Sequence, residues 1–197
     1  MTVRLRAGVR RDQILDVTRT LAGNHGLHAV TIDGVARAAG ISRPVVYEHF
    51  GSLEGLLHSL LLRERARALG QLQAVLPQGV RRDPIDLFDD AFRAYLVAVR
   101  EDPGTWKLVL TSPEGAPGPL QEQLVSGRDE LLAPLVDLVL ASPLGRESPD
   151  PELSGQLVAA IAGESARRLL TDPERYPIKR TIAHARWALG LLRAPAA

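Results

Sequence analysis

Residues 31–50, TIDGVARAAGISRPVVYEHF, constrain the fold of this chain more than any other stretch. Thr31 is placed to cap a short helix whose inner face is Ile32, Val35, Ala36 and Ala39. Gly40 supplies a tight turn. Ser42 caps a second short helix, and Pro44 sits in its first turn, where a missing N–H costs nothing. Val46 is expected to pack inward against Val35 and Phe50 to join the core, which leaves Arg43, Pro44, Val45, Tyr47, Glu48 and His49 for other faces. Two helices joined in this way form a helix-turn-helix, whose second helix can lie in the major groove of DNA.

The flanking sequence reads as further helices. Ile14, Leu15, Thr18, Leu21 and Ala22 recur at helical spacing from about Arg11 to Asn24, and His25-Gly26 ends that run. Gly51-Ser52 breaks the chain again, and Ser52 caps a long helix from Leu53 towards Leu76. Asp83-Pro84 opens a helix to about Glu101, closed by Asp102-Pro103-Gly104, and a short helix from Gly104 to Leu110 follows. The run TSPEGAPGPL reads as a loop before a helix from about Leu120 to Ala141, and SPLGRESPDPE as a longer polar loop. Pro151 to Thr171 and Pro177 to Arg193 complete the set. No segment alternates with period two, so the expectation is an all-α protein of about nine helices. Its N-terminal three-helix helix-turn-helix domain, with a basic arm, would occupy 1–56, and a larger helical domain for ligand binding and dimerisation 57–197.

Within this frame, the segment from Arg11 to Leu57 resembles the DNA-binding domain of tetracycline-repressor-type (TetR family) transcriptional regulators. The matching elements are Ile14-Leu15, Gly26, Thr31, Val35-Ala36, Ala39-Gly40-Ile41-Ser42, Tyr47-x-His49-Phe50, and Glu54 with Leu56-Leu57. They cover roughly a quarter of the chain, and as an ordered set they are far more specific than a generic Ala-Gly turn between helices. The resemblance implies a homodimer paired through the last two helices, a palindromic double-stranded DNA operator and a small-molecule effector. The function it implies is that of a ligand-responsive regulator, a repressor by expectation. The alternative is an all-α binding or adaptor protein that keeps the fold without operator binding, of which Glu48 and Leu53 would be signs.

Candidate DNA contacts follow from chemistry. Arg43 has a fork that can hydrogen-bond guanine O6 and N7, and Pro44 and Val45 offer apolar contacts to thymine methyls. Thr31, Ser42 and Ser52 combine a hydroxyl with a helix N-terminus, which suits phosphate. By the resemblance, Tyr47 and His49 match phosphate-contacting and groove-facing positions. Family members usually carry a lysine in the first turn of the fourth helix, where this chain has Leu53. Arg4 and Arg6, in an arm running from Arg4 to Arg11, resemble basic extensions that reach into a minor groove. Residues 1–67 hold ten arginines against six acids, a net +4, so the remainder carries −3 of the overall +1. That polarity suits a polyanion met at one end.

Composition narrows the remaining possibilities. The absence of cysteine excludes disulfides, thiol redox sensing and Cys-ligated zinc. No uncharged apolar stretch approaches the ~20 residues of a membrane span. No apolar h-region follows Met1, so no signal peptide is expected and a cytoplasmic location is. The five histidines are scattered, no nucleophile or acid–base set can be named, and neither an enzyme nor a cofactor or metal is expected. With aromatics at only 4%, the grouping of Phe88, Phe92, Tyr95 and Val99 on one helix face, with Trp106 and Leu110 just beyond, stands out. Joined by Leu124, Arg128 and Glu164, these residues would make a mostly apolar cavity for an effector; ordinary core is the other reading. Glu164 and Arg168 stand at i, i+4 and can pair with each other. Leu157, Ile161, Ile178, Ile182, Ala185, Leu189 and Leu192 form apolar stripes on the last two helices.

Overall fold

A computed structural model describes residues 7–76, 84–110, 118–141 and 143–192 of the chain. Among them there are only helices: α1 (Ala7–His25), α2 (Ile32–Ala39), α3 (Arg43–Phe50), α4 (Leu53–Val75), α5 (Pro84–Glu101), α6 (Pro103–Leu110), α7 (Gly118–Ala141), the single turn α8 (Pro143–Arg146), α9 (Pro151–Thr171) and α10 (Ile178–Leu192). A 3-10 turn at Leu27–Ala29 joins α1 to α2. The all-α architecture expected from the sequence is the architecture observed.

Local chemistry sets the helix ends. Thr31 Oγ1 accepts from the Gly34 amide at 3.0 Å, and Ser52 Oγ accepts from the Gly55 amide at 3.0 Å; each satisfies one of the donors left over in a first turn. Asp150 does the same for α9 through the Leu153 amide. Gly40 ends α2 at φ 65°, in the left-handed region where a side chain is strained. At Gly55 the demand is for space, because a Cβ would stand 2.3 Å from the Phe50 carbonyl oxygen. Glycine there lets the end of α3 lie against the start of α4.

Two apolar cores result. The first joins Ile14, Leu15, Val35, Val46, Leu56 and Leu60 from α1–α4. The second joins α5, α6, α7, α9 and α10 around Phe92, Tyr95, Leu96, Trp106 and Leu132. Each fully buried large apolar side chain contributes roughly 1.5–3 kcal/mol over exposure. Helix α4 serves both: Leu56 to Leu61 belong to the first core, and Ala68 and Leu72 to the second. Leu108 of α6 reaches back into the first core, so α6 touches both.

Four local expectations need correction. Helix α1 begins at Ala7, so Arg10 and Arg11 are helical and not part of a free arm. Arg11 is held inward, donating to Ser59 at 2.9 Å with its guanidinium carbon 4.6 Å from the Phe50 ring centre. Arg4 and Arg6 lie outside the described residues. Ser42 occupies the N-cap position of α3 but makes no capping bond from its side chain. Helix α6 begins one residue early, because Pro103 follows Asp102 as a natural first helical residue. The polar loop at 142–152 contains the turn α8, where Pro143 opens a helical turn too short to show periodicity.

Candidate nucleic-acid interface

Helices α1, α2 and α3 bury one side of the helix-turn-helix and expose the other. Val46 is wholly buried and Phe50 half-buried, as their inward spacing requires. The outward face of α3 consists of Arg43, Pro44, Tyr47 and Glu48, with Tyr47 49% exposed despite its size. Val45 and His49 fall on the flank and are half-buried. An exposed tyrosine, arginine and proline on one short helix leave apolar surface in water that a groove would cover.

The hydroxyls divide into two kinds. Thr31 and Ser52 already accept from backbone amides, and each retains its own hydrogen for donation to a phosphate. Ser42, exposed and without a capping bond, keeps both donor and acceptor capacity. Arg43 does not wait free: its Nε contacts the carboxylate of Asp33 on α2. Both side chains are largely exposed, so that pair holds weakly and can open. Leu53 is half-buried and packs on the first core, which gives the residue at the departing position a structural role.

Phe88, Phe92, Tyr95, Trp106 and Leu110 pack together in the second core. Phe88 stacks on Phe92 at 5.2 Å between ring centres, and Tyr95 meets Trp106 edge-on at 5.3 Å. All five are nine-tenths buried or more. Burial pushes the Tyr95 phenol well above its ordinary pKa, with Arg167 pulling the other way, so it stays a neutral donor to the Ala162 carbonyl. The polar residues assigned to the same cavity lie elsewhere. Arg128 lines a half-open cleft of about 650 Å³ between α7 and α9, walled by Leu132, Val136, Gly155, Ala159 and Gly163. Glu164 is exposed on α9 and pairs with Arg168 at 2.6 Å and Arg167 at 3.0 Å. Those pairs hold its carboxyl below the usual range against a raising contribution from partial burial. The side chain of Leu124 lies outside the described residues.

The sequence reading missed the contact between the two cores. Glu64 on α4 is 1% exposed, and Arg19 of α1, Arg63 and Thr105 of α6 surround it. The available signal is its position: Leu60, Glu64, Ala68 and Leu72 stand four apart on the buried stripe of α4, and a carboxylate in such a row needs a buried partner.

These observations define a class, an all-α helix-turn-helix protein with a second helical core. Residues 14–60 match the family model described as "Bacterial regulatory proteins, tetR family", so that segment of the chain is similar to TetR-type DNA-binding domains. The chain is 34% identical over 116 residues to the HTH-type transcriptional regulator AlkX of Mycobacterium tuberculosis, a match covering 59% of this chain and 53% of AlkX. It is 32% identical over 71 residues to the HTH-type transcriptional repressor KstR2 of Rhodococcus jostii, covering 36% of this chain and 35% of KstR2. The chain thus spans about half, or less, of the length of these curated relatives. In fold it is similar to a TetR-like transcriptional regulator from Rhodococcus sp. RHA1, with a TM-score of 0.73, 22% identity, and 97% and 100% of the two chains covered. Among the described residues, no helix is long and apolar enough to cross a membrane.

Proposed function

We propose that the protein is a homodimeric, ligand-responsive transcriptional repressor that binds a palindromic operator. The observation that carries this reading is the outward face of α3. Arg43, Pro44 and Tyr47 are exposed together on a helix whose other side is locked into a core. In this reading Arg43 reads guanine, and Pro44 and Val45 meet thymine methyls. Tyr47, His49, Thr31, Ser42 and Ser52 take phosphate or groove contacts, with Arg4 and Arg6 as a basic arm.

One short recognition helix reads few bases, so a second copy is needed, related by a two-fold axis and placed about one DNA turn away. Support for pairing through α9 and α10 comes from apolar side chains left in water. Leu153 and Leu157 are exposed on α9, and Trp187 on α10 is 61% exposed. The effector is assigned to the aromatic cluster around Phe92, Tyr95 and Trp106, which must open to admit it. Ligand and operator then weaken each other reciprocally.

Fluorescence anisotropy with DNA from upstream of the protein's own gene tests the reading. Tight binding at 50 mM salt that falls by about 10³ or more by 200 mM is expected for several phosphate contacts. Affinity that is flat across that range would overturn it.

A further inference from the structure

A line of polar contacts crosses the molecule from the aromatic core to α1. Trp106, wholly buried, donates its indole N–H to Gln71 Oε1 at 2.9 Å. The amide nitrogen of Gln71 donates to Asp102 Oδ2 at 3.0 Å. Asp102, at the corner between α5 and α6, accepts from Arg19 of α1 through its other oxygen, and from Arg67 Nε at 2.7 Å. Thr105 Oγ1 lies 3.0 Å from Asp102 Oδ2 and 2.7 Å from Glu64 Oε2, and Arg19 Nη2 donates to it at 3.1 Å. One end of this line touches the edge of Tyr95, and the other is the helix that backs the helix-turn-helix.

The chemistry of each link makes the line directional. Gln71 satisfies the indole with its oxygen and the carboxylate with its nitrogen, so turning the amide over breaks both contacts. Arg19 and Asp102 meet at a partly buried position, and a charge-assisted bond there favours one relative placement of α1 and α6. Apolar contact alone would let the two helices slide. One donor is left imperfectly held: Arg19 Nε stands 3.0 Å from Glu64 Oε2, but no acceptor lies along its N–H axis.

We propose that Trp106, Gln71, Asp102 and Arg19 are the positioning residues through which the aromatic core and the DNA-binding helices sense each other. Displacement of the Trp106 indole turns Gln71 and removes one of the contacts that orient Asp102, so the carboxylate moves with Arg19 attached, and α1 shifts with the helix-turn-helix it supports. The same links run in reverse when DNA holds α1. This inference rests on the regulator reading above.

The test follows the Trp106 indole N–H in the ¹⁵N-labelled full chain, whose two tryptophans give two indole signals. Loss of one signal in Trp106→Phe assigns it. The probe is a palindromic duplex enriched by the protein itself from random-sequence DNA. On saturation with that duplex the Trp106 signal is expected to shift. In Asp102→Asn and Gln71→Leu, DNA still binds by anisotropy, the DNA-induced shift is lost, and affinity changes by about fivefold or more. A Trp106 signal unmoved by bound DNA, or a shift kept in full in both variants, overturns the proposal. A merely structural role would change melting temperature and leave the shift intact. Gln71 is half-buried, so Gln71→Leu decides the matter alone if Asp102→Asn fails to fold. A chain that binds no duplex at all overturns the regulator reading and this proposal with it.

Discussion

Arg19 and Glu64 bring a cation of α1 to within 3.0 Å of a carboxylate that is almost wholly buried in α4. Burying a carboxylate is tolerated only where partners replace its water, and here Thr105 donates at 2.7 Å while Arg63 stands 3.1 Å away. The three helices that meet at Glu64 are the ones through which the two cores touch.

Removing that carboxylate should be costly. Glu64→Ala leaves Arg19 and Thr105 facing a void, and a loss of about 3–5 kcal/mol is expected from breaking a buried pair. Glu64→Gln keeps the size and one acceptor and should cost less. Urea denaturation of the full chain measures both; a Glu64→Ala cost under about 1 kcal/mol, the worth of an exposed pair, would show that the site is effectively solvated.

Asp102 sets an acid limit on stability. Partial burial raises its pKa, but hydrogen bonds from Gln71 and Thr105 and the charges of Arg19 and Arg67 outweigh that, so the net direction is downward. A carboxyl depressed in the folded state contributes stability above its unfolded pKa of about 3.9, and this is lost as pH falls through the folded value. Asp102→Asn should therefore be less stable than the parent at pH 7, and the gap should close below about pH 4. A gap that stays constant down to pH 2.5 would contradict the assignment.

At the DNA face, Arg43→Ala is expected to relax sequence preference at one position by about 1–3 kcal/mol. Asp33→Asn removes the carboxylate that contacts Arg43 in the free protein and should tighten binding without changing which sequence is preferred. Selection from a random DNA pool compares the three proteins; an unchanged preference in Arg43→Ala would sink its role as a reader.

Leu53→Lys should tighten binding to every sequence and steepen the salt slope by about one. Leu53 packs on the first core, so the lysine must keep its stem there and extend its ammonium outward, at a small cost in melting temperature. A salt titration of affinity checks the slope. No change in slope would mean that position 53 faces no phosphate.

Trp187→Glu places a charge in the middle of the proposed pairing face and should shift the protein from dimer to monomer in sedimentation experiments, as should Leu157→Arg. Dimers that persist in both variants at micromolar concentration would move the interface away from α9 and α10.

What could be read in advance follows from the range of the forces. Thr31, Gly40, Pro44 and Ser52 act on neighbours within four residues, so caps, turn and helix starts were legible one residue at a time. The α8 turn escaped because four residues carry no period. The aromatic set on α5 and α6 was found because Phe88, Phe92 and Tyr95 share a face of one helix. Its assigned companions Arg128 and Glu164 were misplaced because their helical faces say nothing about which neighbour they turn towards.

Local backbone preference and spacing along one helix are enough for the longer helices, the turn at Gly40 and the candidate reading face of α3, and not for the α8 turn or the start of α1 at Ala7. Only the tertiary structure decided that Arg19 meets Glu64 and Asp102, residues 45 and 83 positions away. It likewise decided that Gln71 stands between Trp106 and that carboxylate, and that Arg128 and Glu164 lie apart from the aromatic core. Those outcomes depend on which helix faces pack together, which is settled by the joint burial of two cores and not by any one segment.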